Sequence, residues 1–315
     1  MKQPCKYLQL GQIYILALRP RQWTKNLVVF AAPLFAFSIS WQSFIVAFFA
    51  LILFCTVSSS FYLINDIFDV NSDRQHPVKC HRPIASGLIS VPNASMLAGF
   101  LLITAIGLSW WRSPQLGFII TAYAGLQISY NLRLKRVVIL DIGVIAIGFV
   151  LRALAGAAAT NIKLSSWFIL CTAMLALFLA IEKRKAELRL TQISYAKPRA
   201  VLKRYSLDLL SRMESVVTTS TIVTYMLWSA GPNLNGASTP WMLVTLPFVF
   251  YGIFRYQLLS DTQEITSSGD DLEKGGHTER PEEVLLKDIP LFVKVISWIV
   301  TCFVVLWLKK EGLIK

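Results

Sequence analysis

Nine mainly apolar stretches divide the sequence, most of them of the 17–25 residues or so that an α-helix needs to cross a bilayer. The expected spans are 26–40, which is short, 42–66, 92–110, 115–131, 138–158, 165–181, 209–230, 240–257 and 289–308. Only 16% of the 315 residues are charged, against about 25% in a typical soluble domain. We therefore expect an all-α, polytopic membrane protein, with one transmembrane domain of about nine helices over residues 1–315.

The basic residues predict the orientation of this bundle. If the N-terminus is cytoplasmic and the spans alternate, most of the 31 Lys and Arg residues fall on the cytoplasmic side. The outer loop 231–239 then carries no charge. We expect a multi-pass protein of the inner (plasma) membrane, with a cytoplasmic interfacial segment over 1–25 and long cytoplasmic loops over 182–208 and 258–288.

The net charge of +13 limits the partners of the protein. An excess of this kind is typical of proteins that bind nucleic acid, anionic membranes or anionic substrates. Here the basic residues lie in short loops between apolar stretches and form no separate domain. We therefore expect membrane lipids and an anionic substrate, and no nucleic acid. The oligomeric state, including a homo-oligomer, stays open.

A cluster of acidic residues follows the second apolar stretch, in the segment 65–87, which reads NDIFDVNSDRQHPVKCHRPIASG. Asp66, Asp69 and Asp73 have the i, i+3, i+7 spacing that places side chains on one face of a helix, with Asn65 beside them. Their hard oxygen ligands suit Mg²⁺, with Mn²⁺ as the other option. The alternative is a solvated helix end, but ionisable residues at the mouth of a membrane bundle are usually functional. We expect a catalytic metal site here.

Four basic clusters are expected on the same face as the aspartates. Lys79 and Arg82 belong to the acidic segment itself, and basic side chains there can hold phosphate oxygens that a metal does not reach. The other clusters contribute the candidate substrate-binding residues Lys25, Tyr130, Arg133, Lys135, Lys183, Arg184 and Glu187. Each cluster alone could equally be a topology signal, but four of them around one acidic motif favour a pocket for a polyanion.

Arg152 is also a candidate substrate-binding residue, because it lies well inside the fifth predicted span. A charge at that depth is costly, so the side chain should face a polar cavity or an acidic partner. A purely structural pair is the alternative.

The acidic motif carries a family resemblance. NDxxDxxxD followed by HPxKxxRPIASG resembles the first aspartate-rich motif of the UbiA superfamily of intramembrane prenyltransferases. Within that superfamily the chain resembles a branch that transfers phosphoribosyl groups. The similar stretches are RPRQWTKNLVVFAAPL (19–34), YNLRLKR (130–136), DIGVIAIGFVLRALAG (141–156), EKRKAEL (182–188) and PEEVLLKD (281–288).

A second motif separates this branch from the rest of the superfamily. Ordinary members carry another aspartate-rich motif between spans 6 and 7, where this chain reads EKRKAELRLTQISYAKPR and has no Asp. The branch has a K-R-x-x-E pattern there, matched by Lys183, Arg184 and Glu187, while Glu182 stands at the position of a small residue.

The resemblance implies a reaction and a distribution of roles. Phosphoribose would move from 5-phosphoribosyl 1-diphosphate to a polyprenyl phosphate, with release of diphosphate. Asp66, Asp69 and Asp73 would bind the Mg²⁺-diphosphate, and Asn65 would orient them. The basic residues would bind phosphates, and the lipid tail would lie between spans.

Two other functions remain open at this point. The first is an ordinary UbiA-type prenyltransferase, which joins a prenyl diphosphate to an aromatic acceptor; the missing second Asp motif argues against it. The second is a lipid-phosphate transporter, which should show polar or broken spans near the midplane. The polar residues of this chain crowd one face, which favours an enzyme.

Overall fold

A computed structural model describes residues 10–37, 40–75, 79–193, 201–260, 284 and 288–314. Eleven α-helices lie in these ranges: α1 Leu10–Ala17, α2 Ala31–Phe35, α3 Trp41–Phe68, α4 Val70–Arg74, α5 Val91–Arg112, α6 Pro114–Leu132, α7 Leu140–Thr160, α8 Ser166–Ile193, α9 Leu207–Ser229, α10 Leu246–Ser260 and α11 Ile289–Lys310. The described part of the chain contains no strand, so the predicted all-α fold is confirmed.

Six helical segments are long and apolar enough to cross a membrane. They are Trp41–Phe68, Val91–Arg112, Leu140–Thr160, Ser166–Arg189, Pro240–Ser260 and Ile289–Lys310. The predicted spans 115–131 and 209–230 form the long helices α6 and α9, which are not among these six. The structure is thus that of a multi-pass membrane protein, and the count of nine spans stays a prediction.

The first predicted span, 26–40, does not form one continuous α-helix. An eleven-residue 3₁₀ helix over Pro20–Phe30, called the 3₁₀ segment below, leads directly into the short helix α2. The segment fits tightly against α7, where a Cβ added to Gly156 would overlap the carbonyl oxygen of Val29. Gly156 therefore lets two backbones approach closely, as glycine does at crowded helix contacts.

Two predicted loops differ from the structure in extent. Helix α8 continues through the first part of 182–208 and ends at Ile193, so Lys183 to Glu187 are helical. Residues 194–200 lie outside the described ranges, as does most of the predicted loop 258–288.

The predicted N-terminal segment 1–25 contains the helix α1. Its residues Ile13 and Ala17 pack against Leu63 and Ile84.

Side-chain caps fix where several helices begin. The hydroxyl oxygens of Ser40, Ser90, Ser113 and Ser206 each accept a hydrogen bond from the backbone N–H three residues on. Asp288 caps α11 in the same way through the N–H of Leu291. Burial by itself would raise the pKa of Asp288, but hydrogen bonds from Arg255 and Leu291 outweigh it and lower that pKa.

Candidate active site

Asp66 lies in the last turn of α3 and is buried. Its Oδ1 atom accepts hydrogen bonds from Nη2 of Arg19 at 2.5 Å and from Nη1 of Arg82 at 3.0 Å. The Arg19 guanidinium also lies over the ring of Tyr62, 5.3 Å from its centre. Asp66 is therefore held between two cations that come from different parts of the chain.

Arg82 joins Asp66 to a second buried carboxylate. The Nη1 atom that contacts Asp66 also donates to Oδ2 of Asp73, at 2.6 Å. The two aspartates lie seven residues apart, and α4 brings them to the same side. Two carboxylates thus converge on one cationic nitrogen.

Asp69 behaves differently from the other two aspartates. It caps the C-terminus of α3 and its side chain is 37% exposed, with Nζ of Lys135 3.6 Å from its Oδ1. The backbone continues almost helically here, since the N–H of Asp73 donates to the carbonyl of Asp69 at 2.8 Å. Lys135 thereby brings the 130–136 cluster to the acidic motif, while Arg133 on the same turn is exposed.

The 182–187 cluster forms a buried polar network. Nε of Arg184 donates to Oδ2 of Asp141 at 2.8 Å, and its Nη1 donates to Oε2 of Glu187 at 2.5 Å. The hydroxyl of Tyr205 donates to the other oxygen of Asp141, also at 2.8 Å. Burial and the neighbouring Asp141 carboxylate raise the pKa of Tyr205 to about 12, so this hydroxyl stays protonated and serves as a donor.

A further network lies next to it on α8. The Lys185 ammonium contacts Glu182 at 3.2 Å and makes a closer contact with Glu214 of α9. Gln257 donates to the same Glu214 carboxylate at 2.6 Å and so adds α10 to the network. Glu182, which replaces the small residue expected from the family, is therefore accommodated by a lysine one turn on.

The remaining predicted residues lie around these networks. Lys25 donates to Oε1 of Gln22 at 2.5 Å within the 3₁₀ segment. Asn65, Lys79, Tyr130 and Lys183 are half-buried. Arg152 is buried among protein atoms, where it donates to Asn26 and Tyr123.

The structure adds residues to the site that the sequence did not assign to it. Arg19 contacts Asp66 across 47 positions of sequence from a left-handed backbone conformation with φ 55°. Asp141, Tyr205 and Glu214 enter the site only through tertiary packing. For Asp141 and Glu214 a signal exists, because a carboxylate inside an apolar helix requires a cationic partner.

The donor set suits a divalent cation at the acidic motif. In the described ranges no three His, Cys, Asp or Glu side chains already surround one point at metal distance. The two carboxylates of Asp66 and Asp73 nevertheless meet at one positive charge, the Arg82 guanidinium. Hard carboxylate oxygens in this arrangement, with Asn65 and Asp69 beside them, are the ligands that Mg²⁺ prefers.

The sequence profile of the UbiA prenyltransferase family matches residues 26–269. The chain therefore belongs to the UbiA family, a family of membrane transferases, which disfavours the transporter alternative.

Curated relatives match the chain over most of its length. A decaprenyl-phosphate phosphoribosyltransferase of Mycolicibacterium smegmatis is 38% identical, covering 95% of this chain and 93% of that protein. Proteins of the same name are 37% identical in Corynebacterium glutamicum, over 95% of this chain and 87% of that protein, and 33% identical in Mycobacterium tuberculosis H37Rv, over 90% and 91%.

Solved structures share the fold. A UbiA homolog from Archaeoglobus fulgidus bound to GPP and Mg²⁺ has a TM-score of 0.66 at 18% identity, covering 93% of this chain and 99% of that chain. A structure described as digeranylgeranylglyceryl phosphate synthase has a TM-score of 0.64 at 15% identity, covering 94% and 99%. These similarities confirm the expected UbiA-type helical bundle.

Proposed function

We propose that this protein transfers the 5-phosphoribosyl group of 5-phosphoribosyl 1-diphosphate to a polyprenyl phosphate, with release of diphosphate. The observation that carries the proposal is the near full-length similarity to relatives named decaprenyl-phosphate phosphoribosyltransferase. The site agrees with it, because the region after span 6 holds a buried Arg184 flanked by Lys183 and Lys185 where ordinary family members carry a second acidic motif.

The chemistry requires stabilisation of the leaving group. The bond between ribose C1 and the diphosphate oxygen breaks, its electron pair leaves with diphosphate, and a phosphate oxygen of the lipid forms the new bond to C1. That oxygen is already anionic, so the attack needs no strong general base. Mg²⁺, bound by Asp66 and Asp73, would neutralise the charge that develops on the departing diphosphate.

The residues of the chain have separate roles in this proposal. Arg19 and Arg82 keep the two buried aspartates in place and offer guanidinium donors to phosphate oxygens at the same point. Lys135 and Lys183 supply further charge to the phosphates, and Lys79 lies on the turn that carries Arg82. Arg184 is bonded to Asp141 and Glu187, so we assign it the placement of this wall of the site rather than a freely mobile phosphate contact.

The proposal includes an orientation of the site in the membrane. The acidic motif and the basic clusters would face the cytoplasm from the inner membrane, with the polyprenyl tail between helices. This follows from the charge distribution of the sequence and from the lack of charge in the loop 231–239.

Two parallel assays in detergent test the function. Purified protein with Mg²⁺ receives labelled 5-phosphoribosyl 1-diphosphate and a polyprenyl phosphate in one tube, and a labelled prenyl diphosphate with 4-hydroxybenzoate in the other. We expect label in the lipid phase from the ribosyl donor only, and loss of that transfer when EDTA is added. Product in the second tube alone would identify an ordinary UbiA-type prenyltransferase and overturn the proposal.

A further inference from the structure

Arg152 is a permanent charge deep in the bundle, and the proposed reaction gives it no contact with either substrate. It lies on α7 eleven residues beyond Asp141, which at 1.5 Å per residue is about 16 Å deeper along the helix. Its side chain is buried, at 6% exposure. Within the described ranges no carboxylate lies at ion-pairing distance, so its charge is met by neutral groups alone.

Those neutral groups come from two other elements. Nε of Arg152 donates to Oδ1 of Asn26 at 2.7 Å, and Nη2 donates to the hydroxyl of Tyr123 at 2.9 Å. The guanidinium also lies 5.2 Å from the ring centre of Phe149 and 5.1 Å from that of Tyr123. The cluster is closed, with Asn26 at 1% and Tyr123 at 2% exposure, so a substrate does not reach Arg152 without opening it.

Asn26 connects this cluster to the 3₁₀ segment. While its Oδ1 accepts from Arg152 on α7, its Nδ2 donates to Sγ of Cys55 on α3, at 3.3 Å. Both ends of the amide are therefore engaged, and the side chain has one favourable orientation. Arg152, as a donor only, determines that orientation.

The 3₁₀ segment needs support of this kind. It runs for eleven residues, whereas 3₁₀ helices longer than about 3–4 residues are uncommon because their hydrogen-bond geometry is poor. Its other anchors are the hydrogen bond from Trp23 to Ser59, at 3.0 Å, and the close packing of Val29 on Gly156. Asn26 lies between these two anchors, and of the three residues it alone bridges α3 and α7 by hydrogen bonds.

The N-terminal end of the 3₁₀ segment lies at the candidate active site. Arg19 precedes Pro20 with a left-handed φ of 55°, and its guanidinium holds Asp66. A non-glycine residue keeps such a conformation only where its surroundings enforce it. We propose that Arg152 is a positioning residue: through Asn26 it fixes the 3₁₀ segment and so places Arg19 on Asp66. Its effect on catalysis rests on the proposed function, whereas its effect on the segment does not.

Hydrogen–deuterium exchange tests the structural half of the proposal without any substrate. In Arg152→Met we expect severalfold faster exchange in peptides that cover 20–30, with other helices close to wild type. Tyr123→Phe is the matched control, because it removes the other partner of Arg152 on α6 and leaves Asn26 bonded. If Arg152→Met does not fold, Asn26→Leu breaks the same bond from the other side and should give the same pattern. Equal exchange in 20–30 in the wild type and in either variant would overturn the proposal.

A double-mutant cycle tests the catalytic half. If Arg152 acts through Arg19, then Arg152→Met lowers kcat/KM in the wild type but lowers it little further in an Arg19→Gln background. Losses that multiply would show that Arg152 acts independently, and would contradict the proposal. If the wild-type protein shows no phosphoribosyl transfer, the proposed function is refuted but the structural half of the proposal is not. The exchange result would still decide the role of Arg152 in the fold.

Discussion

Asp66 and Asp69 lie only three positions apart in the sequence, but their side chains lie in different environments. Asp66 is buried between Arg19 and Arg82, whereas Asp69 is 37% exposed beside Lys135. We expect Asp66→Asn to lower phosphoribosyl transfer by at least about 100-fold, because charge placed at the reacting diphosphate is lost. Asp69→Asn should cost about tenfold or less, since exposed pairs contribute little.

The measurement is the initial rate of transfer at saturating substrates, with size-exclusion chromatography in detergent as the control for folding. An Asp66→Asn protein with a rate near that of the wild type would show that this carboxylate does not bind the metal. Equal losses in both variants would mean that Asp69 turns into the site when ligands bind.

Arg184 and Lys183 are adjacent, yet we expect their replacement by Met to affect stability and substrate binding differently. Arg184 is 1% exposed and bonded to Asp141 and Glu187, so Arg184→Met leaves two buried carboxylates without their partner. Breaking a buried pair typically costs about 3–5 kcal/mol, which we expect as a lower unfolding temperature. Lys183→Met should lower the unfolding temperature less than Arg184→Met does, because Lys183 is only half-buried, and should raise KM for 5-phosphoribosyl 1-diphosphate. A thermal-shift assay with steady-state kinetics separates the two, and unchanged stability in Arg184→Met would contradict the buried network.

The sequence identifies the acidic motif and Arg82 because they are close together in the chain. Asp66, Asp73 and Arg82 lie within 17 residues of one another: helical spacing places the two aspartates on one face, and Arg82 follows eight residues after α4 ends. Arg19 could not be assigned in the same way, since its contact depends on a left-handed backbone and on the packing of the 3₁₀ segment. Local pattern predicts the motif, and tertiary packing adds the residue that completes it.

At the scale of elements, the contact between the 3₁₀ segment and α7 depends on one glycine. A Cβ at 156 would overlap the Val29 carbonyl, so Gly156→Ala must push the segment away from α7. We expect a loss of about 1–3 kcal/mol in the free energy of unfolding, the usual cost of overpacking, together with lower activity. Gly143→Ala on the same helix is the control, because open space surrounds that position.

The control should be neutral or stabilising by about 0.5–1 kcal/mol, as alanine is favoured over glycine inside helices. Thermal unfolding of both proteins in the same detergent is the measurement. If Gly156→Ala is as stable as Gly143→Ala, the segment does not pack on α7 as described.

Apolar length predicts the spanning helices better than it predicts their conformation. The stretch 26–40 is apolar enough to suggest a short span, but its first residues belong to the 3₁₀ segment that begins at Pro20. Hydropathy does not distinguish a 3₁₀ helix from an α-helix. Here the helix type depends on contacts with α3 and α7. The predicted loop 182–208 is wrong over 182–193, where the chain is helical, because the charged residues that suggested a loop are satisfied by partners inside the bundle.

At the scale of the whole molecule, the side on which the acidic motif opens determines which substrates can reach it. 5-Phosphoribosyl 1-diphosphate carries several negative charges and does not cross a bilayer unaided, so its binding site must face the compartment that contains it. The distribution of Lys and Arg predicts that the motif lies on the cytoplasmic side and the loop 231–239 outside. Asn71 of α4 and Asn235 of that loop are both exposed and suit a direct comparison.

Single cysteines at these two positions, in a background without the five native cysteines, give the orientation in intact cells. A membrane-impermeant maleimide should label Asn235→Cys directly, and should label Asn71→Cys only after permeabilisation. The reverse pattern would place the acidic motif outside and would make a cytoplasmic ribosyl donor untenable. Labelling of both positions in intact cells would put them on the same side, which contradicts the predicted number of spans between α4 and the loop 231–239.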